Sequence, residues 1–213
     1  MLTKKYFLFY VGFQRTERVP YMLFSGVARY DTASGYFVRM SRTPVVDRGH
    51  CGVFSNGAPF VMADDGIYKM WFWVGKDWIS LEGKLYLRAT IAYAESNDGL
   101  QWIVKEDCCI EPDGLEEFSV GRPWVVKEDG RYRMWYCRRL RKKLYRMGYA
   151  ESRDGLKWVR IDRRVGLDVS DRGWDDQVVC YPAVISTHGQ IYMFYNGNGM
   201  GRSGFGYAVL DQA

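Results

Sequence analysis

The chain has 213 residues, of which 47% are hydrophobic and 26% are charged, as is ordinary for a soluble globular protein that can bury a large core, whereas the aromatic fraction of 16% is less ordinary. The net charge is +5, and the excess positive charge concentrates in residues 138–143, between two strand-like segments. This position indicates a solvated hairpin loop, which suits an anionic sugar or a lipid-linked sugar phosphate better than it suits nucleic acid. No nucleic-acid partner is therefore expected.

The termini and the cysteines predict neither a membrane span nor a metal site. The apolar run over residues 6–11 is too short to cross a bilayer, and no small-residue cleavage site follows it. The five cysteines lack a C-x-x-C pattern, and unpaired cysteines without a secretion signal indicate a reducing cytoplasm. A lone histidine, His50, is too weak a signal for a metal, so no metal and no cofactor are predicted.

In chain order, the first predicted element is a partial unit over residues 1–45. Residues 6–11 have the pattern of the second strand of a hairpin, and residues 26–31 have the pattern of a third strand. The unit lacks a first strand of its own. An exposed strand edge is therefore expected at this end of the chain.

The next elements repeat. The segments 58–72, 122–136 and 181–195 align with one another, and each begins with an X-Pro pair at Pro59, Pro123 or Pro182. Each is predicted to form strand, tight turn and strand, because Asp65-Gly66, Asp129-Gly130 and His188-Gly189 are hairpin-turn dipeptides or stand in their place. Proline is tolerated where a strand begins, before the ladder of hydrogen bonds is established.

A second repeated element follows the first two hairpins. Residues 91–102 match residues 147–158 as a strand, a Ser-x-Asp-Gly turn and a short outer strand that carries a tryptophan. Glu95 and Glu151 recur at the same place, which argues for a structural role at the turn. Trp71 and Trp73 share one strand face and are expected to pack between neighbouring sheets.

Four strands per unit, repeated along the chain, predict an all-β β-propeller of four-stranded antiparallel blades. The predicted units are a partial blade over 1–45, blades over 46–106 and 107–163, and a partial blade over 164–213. A propeller closes its ring to hide its sheet edges. The missing strands therefore leave three alternatives: a partner chain supplies a blade, the ring closes with fewer blades, or the chain is a shortened version of a longer protein.

These motifs resemble those of a known superfamily. The pattern Pro-x-Val, Asp-Gly, Tyr-x-Met-Trp-Tyr and Gly-Tyr-Ala-Glu-Ser-x-Asp-Gly-x-x-Trp is similar to the five-bladed propellers of glycoside hydrolase families 43 and 32. The stretch over residues 179–206 resembles a glycosidase-like branch of that superfamily. The resemblance implies a five-bladed propeller, of which about four blades are present here, and a carbohydrate ligand at the mouth of the central tunnel.

The resemblance also implies three acidic residues at the starts of innermost strands, and this sequence departs from that pattern. No acid stands directly before Pro59, Pro123 or Pro182. Glycoside cleavage needs two carboxylates across the scissile bond. The candidates for a displaced catalytic acid or base are therefore the loop carboxylates Asp47, Glu117 and Asp175, with solvated or turn-capping roles as the alternative.

The binding candidates surround the same strand starts. Arg122 can clamp a carboxylate or phosphate through its planar guanidinium, or form an internal salt bridge. Tyr181 and Asn56 are expected to complete a polar ring with it, and Asp176 lies just upstream of Tyr181. Asn196 and Asn198 stand in a hairpin loop, where they either touch ligand or serve the turn.

Two hypotheses of function remain. The first is a glycosidase-like protein that acts on or binds a sugar or an anionic glycan at the tunnel mouth. The second is a non-catalytic carbohydrate-binding or scaffold propeller that completes its ring by homo-oligomerisation. Two facing carboxylates at the tunnel mouth would favour the first, and a basic pocket with aromatic walls and no carboxylate pair would favour the second.

Overall fold

A computed structural model describes residues 5–49, 52–105, 109–142 and 145–210 of the chain. These ranges form fourteen β-strands, and helical structure is confined to two short turns, Asp162–Arg164 and Asn198–Gly201. Among these residues, no helix is long and apolar enough to cross a membrane. The strands are β1 (Phe7–Gln14), β2 (Met22–Asp31), β3 (Tyr36–Arg39), β4 (Ser55–Asp64), β5 (Ile67–Leu81), β6 (Lys84–Ser96), β7 (Ile103–Val104), β8 (Glu117–Glu128), β9 (Arg131–Leu140), β10 (Tyr145–Ser152), β11 (Val159–Arg160), β12 (Cys180–Thr187), β13 (Gln190–Asn196) and β14 (Phe205–Val209).

The strands follow one another as antiparallel meanders in four successive sheets. The first sheet has the order β1-β2-β3, the second β4-β5-β6-β7, the third β8-β9-β10-β11 and the fourth β12-β13-β14. A single parallel pair, Ala89 with Ser119, joins the second sheet to the third. The prediction of an all-β propeller-type fold is confirmed, whereas the residue boundaries of its blades stay a prediction.

Neighbouring sheets pack on one another in chain order. Strands β1 and β2 contact β4, strands β4, β5 and β6 contact β8, and β12 contacts β8, β9 and β10. Within the described ranges, none of these extensive contacts joins the first sheet to the fourth. The innermost strands of the last three sheets, β4, β8 and β12, therefore lie next to one another in chain order.

The predicted hairpin turns form. Asp65, Asp129 and His188 have φ of 52°, 51° and 51°, and the glycine after each also has a positive φ. Positive φ at both central residues is the geometry of a type I′ turn, whose twist matches that of the flanking strands. Each of these turns joins an inner strand to the antiparallel second strand of the same sheet.

Each inner strand carries an irregularity at its X-Pro pair. The pairing register shifts between Gly57 and Phe60 in β4, and corresponding shifts occur in β8 and β12. The residue before each proline adopts the left-handed region of backbone space, with φ of 46°, 53° and 60° at Ala58, Arg122 and Tyr181. Such a bulge bends the strand and redirects side chains. The repeat therefore places these three side chains at equivalent positions.

Tryptophan packing holds the second sheet on the third. The Trp71 side chain is fully buried, and its indole Nε1 donates a hydrogen bond to the carbonyl oxygen of Gly155, at 2.8 Å. Its ring contacts those of Tyr132 and Trp158 in the third sheet. The predicted inter-sheet role of Trp71 is confirmed.

The Ser-x-Asp-Gly turns have the same hydrogen bonds in both complete units. The Ser96 hydroxyl accepts a hydrogen bond from the Gly99 amide, and Asp98 accepts two amide hydrogen bonds from the residues that follow. The Tyr93 hydroxyl donates to Glu95 at 3.0 Å, and Tyr149 donates to Glu151 at 2.9 Å. The recurring glutamates are therefore structural, as predicted.

A charged cluster ties the second sheet to the third at the hairpin end of the inner strands. The carboxylate of Asp64 accepts hydrogen bonds of 2.6 Å from Lys69 Nζ and from Lys127 Nζ, and it also accepts one from the Tyr132 hydroxyl. Burial opposes the ionisation of Asp64, but the hydrogen bonds from Lys127 and Lys69 outweigh it and hold the pKa of this carboxyl well below its usual range. The cluster is an ion-pair bridge between two sheets.

Candidate functional site

Side chains from all four sheets line a cavity of about 580 Å³ where the inner strands converge, here called the central cavity. The three residues before the repeated prolines, Ala58, Arg122 and Tyr181, all contribute to its wall. The wall also contains the aromatic rings of Trp73, Tyr86 and Tyr145 and the guanidinium group of Arg139. Concave sites with apolar walls and a few convergent polar groups are the usual ligand sites of proteins.

Arg139 lies inside an aromatic cage. Its guanidinium carbon is 5.2 Å, 5.1 Å and 5.0 Å from the ring centres of Tyr86, Phe118 and Tyr145. The side chain is half-buried, and contacts with three ring faces compensate part of the cost of removing its charge from water. The cage fixes the guanidinium at the cavity wall.

Tyr145 and Tyr181 form a row of two contacting rings, with Arg139 against Tyr145 and Arg122 against Tyr181. The guanidinium carbon of Arg122 lies 4.7 Å from the ring centre of Tyr181, and the Tyr181 ring meets that of Tyr145 edge to face at 6.0 Å. The two guanidinium groups therefore flank a pair of contacting tyrosines. Within the described residues, neither Arg122 nor Arg139 has a carboxylate partner within salt-bridge distance.

The titratable groups beside these arginines are neutral at pH 7. Burial raises the pKa of the Cys137 thiol to about 12, and burial also raises the pKa of the Tyr145 and Tyr181 hydroxyls. The Cys137 sulfur accepts a hydrogen bond from the backbone amide of Tyr181, at 3.0 Å. The charge on the described wall is therefore carried by the two guanidinium groups.

The structure places Glu117 away from this wall. Its carboxylate is buried and receives hydrogen bonds from Arg138 Nε at 2.6 Å and from Arg160 Nη2 at 3.0 Å. Arg138 and Arg160 also pair with Asp162. Two carboxylates and two guanidinium groups thus neutralise one another, which is a structural arrangement and leaves Glu117 no free face toward a substrate.

Asp175 and Asp47 are also outside the central cavity wall. Asp175 is buried and accepts a hydrogen bond of 2.9 Å from the hydroxyl of Tyr195, whose ring stacks on Trp174. Asp47 is exposed, and its Oδ1 accepts a hydrogen bond from the Arg48 amide. The three acids predicted as catalytic candidates are therefore not brought together.

Asn56 does not form a polar ring with Arg122 and Tyr181. It lies in a separate cavity of about 290 Å³, where its amide nitrogen donates to the carbonyl oxygens of Val46 and Asp47. The position equivalent to Arg122 and Tyr181 is Ala58, since Ala58 has the left-handed conformation before proline. The expectation was wrong because the bulge, and not simple alternation, decides which side chain faces the centre.

The other binding candidates serve the loop before β12. Asn198 Oδ1 accepts hydrogen bonds from the amides of Gln177 and Val178, and its Nδ2 donates to Asp176 at 2.7 Å. Asn196 Nδ2 donates to the carbonyl oxygen of Met200 at 3.3 Å. These contacts support the turn-stabilising alternative for all three candidates.

Sequence reasoning missed Arg139 and the rings around it. Arg138 and Arg139 belong to β9, which continues to Leu140, so the basic run is only in part a hairpin loop. Arg139 pairs with Tyr145 across the β9–β10 hairpin. An extension of the strand pattern through Leu140 would have predicted this pair. Trp73 packs against Gly121 of the neighbouring sheet, as expected, and it also lines the central cavity.

Metal binding has no candidate in the described ranges, since they contain no group of three or more histidine, cysteine, aspartate or glutamate side chains that could hold an ion. His50, the residue considered for a metal from the sequence, lies outside the described residues.

Comparison with known proteins finds relatives by sequence and, at lower sequence identity, solved structures that share the fold. No family model matches the chain. A Mycobacterium tuberculosis protein described as "Uncharacterized protein Rv1502" is 39% identical over 204 residues, which are 96% of this chain and 67% of that protein. A protein of a second M. tuberculosis strain, MT1551, matches to the same extent.

Solved structures of glycoside hydrolases share the fold. A "Glycoside hydrolase" matches with a TM-score of 0.75 at 18% identity, over 98% of this chain and 63% of that chain. A thermostable family-43 glycoside hydrolase gives a TM-score of 0.70 at 18% identity, over 97% and 67% of the two chains. A GH32 β-fructofuranosidase of Bombyx mori gives 0.66 at 13% identity, over 97% and 44%. The chain thus spans about two thirds of the length of the first two structures.

Proposed function

This chain belongs to the family of the Mycobacterium tuberculosis protein Rv1502, and we propose that it is a glycosidase-like propeller that binds carbohydrate in its central cavity. One observation carries the proposal. Near the beginnings of the inner strands, aromatic rings from successive sheets line a cavity that is large enough for a sugar.

The aromatic wall supports a sugar ligand. The rings of Trp73, Tyr86, Tyr145 and Tyr181 present flat apolar surfaces beside the polar Arg122 and Arg139. A sugar ring offers apolar C–H faces and a rim of hydroxyl groups, so a site that combines ring faces with hydrogen-bond donors matches both. Such a site is characteristic of ligand pockets that orient a small polar molecule.

The same wall supports binding better than cleavage. Hydrolysis of a glycoside requires two carboxylates across the scissile bond. Among the residues that the structure describes, the central cavity is lined by no aspartate or glutamate. The glycoside hydrolases that share the fold are below 25% identity, and a shared fold does not carry over a reaction. We therefore assign sugar binding to this wall.

We further propose that the four sheets take four positions of a five-bladed ring and that a second copy of the chain covers the exposed edges. Large apolar side chains are exposed on the outer strands of both end sheets: Tyr36 and Phe37 on β3, and Phe205 and Tyr207 on β14. Open edges with exposed apolar groups favour association. Light scattering coupled to size-exclusion chromatography should give a dimer mass, and a monomer mass would overturn this arrangement.

The experiment for the proposed function is a calorimetric titration of the protein with a panel of mono- and oligosaccharides. We expect at least one sugar to bind, and the Tyr181→Ala variant to bind it at least ten-fold more weakly. Tyr6→Ala removes an exposed tyrosine ring that lies outside the central cavity and outside the proposed association edges, and this control should bind like the wild type. Failure of every sugar to bind, or equal binding by Tyr181→Ala, would overturn the proposal.

A further inference from the structure

We propose that the carbohydrate bound in the central cavity carries an anionic group, a carboxylate or a phosphate, which Arg122 and Arg139 recognise. The inference rests on the proposed function, since it names the class of sugar that the same cavity takes. It starts from two guanidinium groups on one wall that lack a carboxylate partner among the described residues.

Arg122 is exposed, whereas Arg139 is half-buried, and the other half-buried arginines that the structure describes are paired with carboxylates. Arg160 contacts both Glu117 and Asp162, and Arg146 Nε lies 3.0 Å from Asp168. Half-buried guanidinium groups with a structural role in this fold are thus paired with carboxylates of the same chain. Arg139 is half-buried too, yet its described contacts are the faces of three aromatic rings and no anion. An anionic group on a bound ligand would provide the partner that the Arg139 guanidinium does not find among the described residues.

The surroundings strengthen the field of these two charges. The thiol of Cys137 and the hydroxyls of Tyr145 and Tyr181 are protonated and neutral, so none of these groups supplies an anion that would offset the two guanidinium charges. A concave site that is lined by one sign of charge and low-dielectric walls concentrates the potential that it presents to a ligand. An anionic sugar is therefore favoured over its neutral counterpart.

The positions of the two tyrosine rings and the two guanidinium groups would let them contact one ligand together. The Tyr145 and Tyr181 rings stand between the two guanidinium groups and touch each other at a centroid distance of 6.0 Å. A guanidinium offers parallel N–H donors that match the oxygens of a carboxylate or a phosphate. A sugar ring on the tyrosines would thus present its acidic substituent to one of the two arginines.

The test compares matched neutral and acidic ligands by calorimetry at low salt. The panel consists of methyl glycosides in the gluco, galacto and manno series, the corresponding methyl uronides, the hexose 6-phosphates and inorganic phosphate alone. We expect an acidic sugar to bind at least ten-fold more tightly than its neutral counterpart. The gain should be lost when the arginine that contacts the acidic group is replaced, in Arg122→Gln or in Arg139→Gln, and it should be largely retained in the matching lysine variant, which keeps the charge.

The control variant is Arg42→Gln, which removes the same charge from an exposed position outside the cavity wall. Arg42→Gln should bind like the wild type, and Arg139→Gln provides a second loss-of-binding variant if it folds. Neutral and acidic sugars that bind equally, with no effect of Arg122→Gln, would overturn the anionic assignment and leave the proposed function standing. Binding of inorganic phosphate as tightly as any sugar phosphate would overturn the sugar part of the inference.

Discussion

The guanidinium of Arg122 lies 4.7 Å from the ring centre of Tyr181, and the two residues hold the same position in successive inner strands. Both adopt a left-handed backbone conformation directly before a proline, with φ of 53° and 60°. Side chains with a Cβ atom rarely take this conformation, because it costs about 1–2 kcal/mol. The repeated bulge therefore carries strain at the position where the strand enters the central cavity, a pattern that often accompanies function.

The third residue of this set offers a direct measure of that strain. Ala58 has φ of 46° and a side chain of one methyl group. Glycine takes this conformation freely, so Ala58→Gly should raise the free energy of unfolding by up to about 1 kcal/mol, after allowance for the extra freedom of glycine in the unfolded chain. Urea denaturation measures the change. A loss of more than about 1 kcal/mol would show that the left-handed conformation at Ala58 is wrong.

Gly121 keeps room for Trp73 in the cavity wall. A Cβ atom built on Gly121 would lie 2.3 Å from Trp73 Cδ1, so Gly121→Ala must displace the indole. We expect a loss of about 2 kcal/mol of stability from overpacking, together with weaker sugar binding. Gly12→Ala is the control, since its added Cβ would meet its nearest neighbour at an ordinary 3.7 Å. Equal stability of the two variants in thermal denaturation would contradict this packing.

Asp64 should matter for stability and for its pH dependence. Asp64→Asn leaves the amino groups of Lys69 and Lys127 without their shared carboxylate, and loss of one partner of a buried ion pair costs about 3 kcal/mol. Because hydrogen bonds from the lysines outweigh burial and lower the pKa of Asp64 in the folded state, its stabilisation is present above the unfolded-state value of 3.8. It is lost as the pH falls toward the folded-state pKa.

Denaturation of the wild type and Asp64→Asn at several pH values tests this account. The difference between them should be full at pH 6 and should shrink below about pH 4, where the carboxyl begins to take up a proton in the unfolded chain. Asp65→Asn is the control, because Asp65 is exposed and lies 3.4 Å from the same two lysines. A difference between wild type and Asp64→Asn that stays constant down to pH 2 would contradict the pKa shift.

Glu117 should behave as a structural residue. Glu117→Gln removes the carboxylate that contacts Arg138 and Arg160, and we expect a loss of about 3 kcal/mol because the two guanidinium groups then share the single carboxylate of Asp162. Glu116→Gln, at an exposed neighbouring position, should have little effect. Sugar affinity measured on the folded fraction should stay within two-fold of the wild type. A stable Glu117→Gln protein with altered sugar binding or turnover would restore Glu117 as a candidate catalytic residue.

The repeated strands could be predicted from the sequence because their signals are local. The Asp-Gly turns at Asp65 and Asp129 dictate positive φ values, and the Ser-x-Asp-Gly motif builds the same hydrogen bonds wherever it occurs. A regular alternation of apolar residues then completes each strand. Local chemistry of this kind determines the sheets.

The site was harder to predict because it depends on register and on distant packing. A bulge before Pro59 brings Ala58, and not Asn56, to the central cavity. Simple alternation cannot reveal such a shift of one residue. Arg139 was overlooked because a run of basic residues is compatible with a loop as well as with the end of a strand. Its role depends on rings from three strands that meet only in the folded chain.

The most direct test of carbohydrate binding in the central cavity is a crystal structure of the protein soaked with an acidic monosaccharide at saturating concentration. We expect the sugar ring against Tyr145 and Tyr181, with its carboxylate or phosphate within hydrogen-bond distance of Arg122 or Arg139. A sugar found elsewhere on the protein, with the central cavity empty at saturation, would contradict the account.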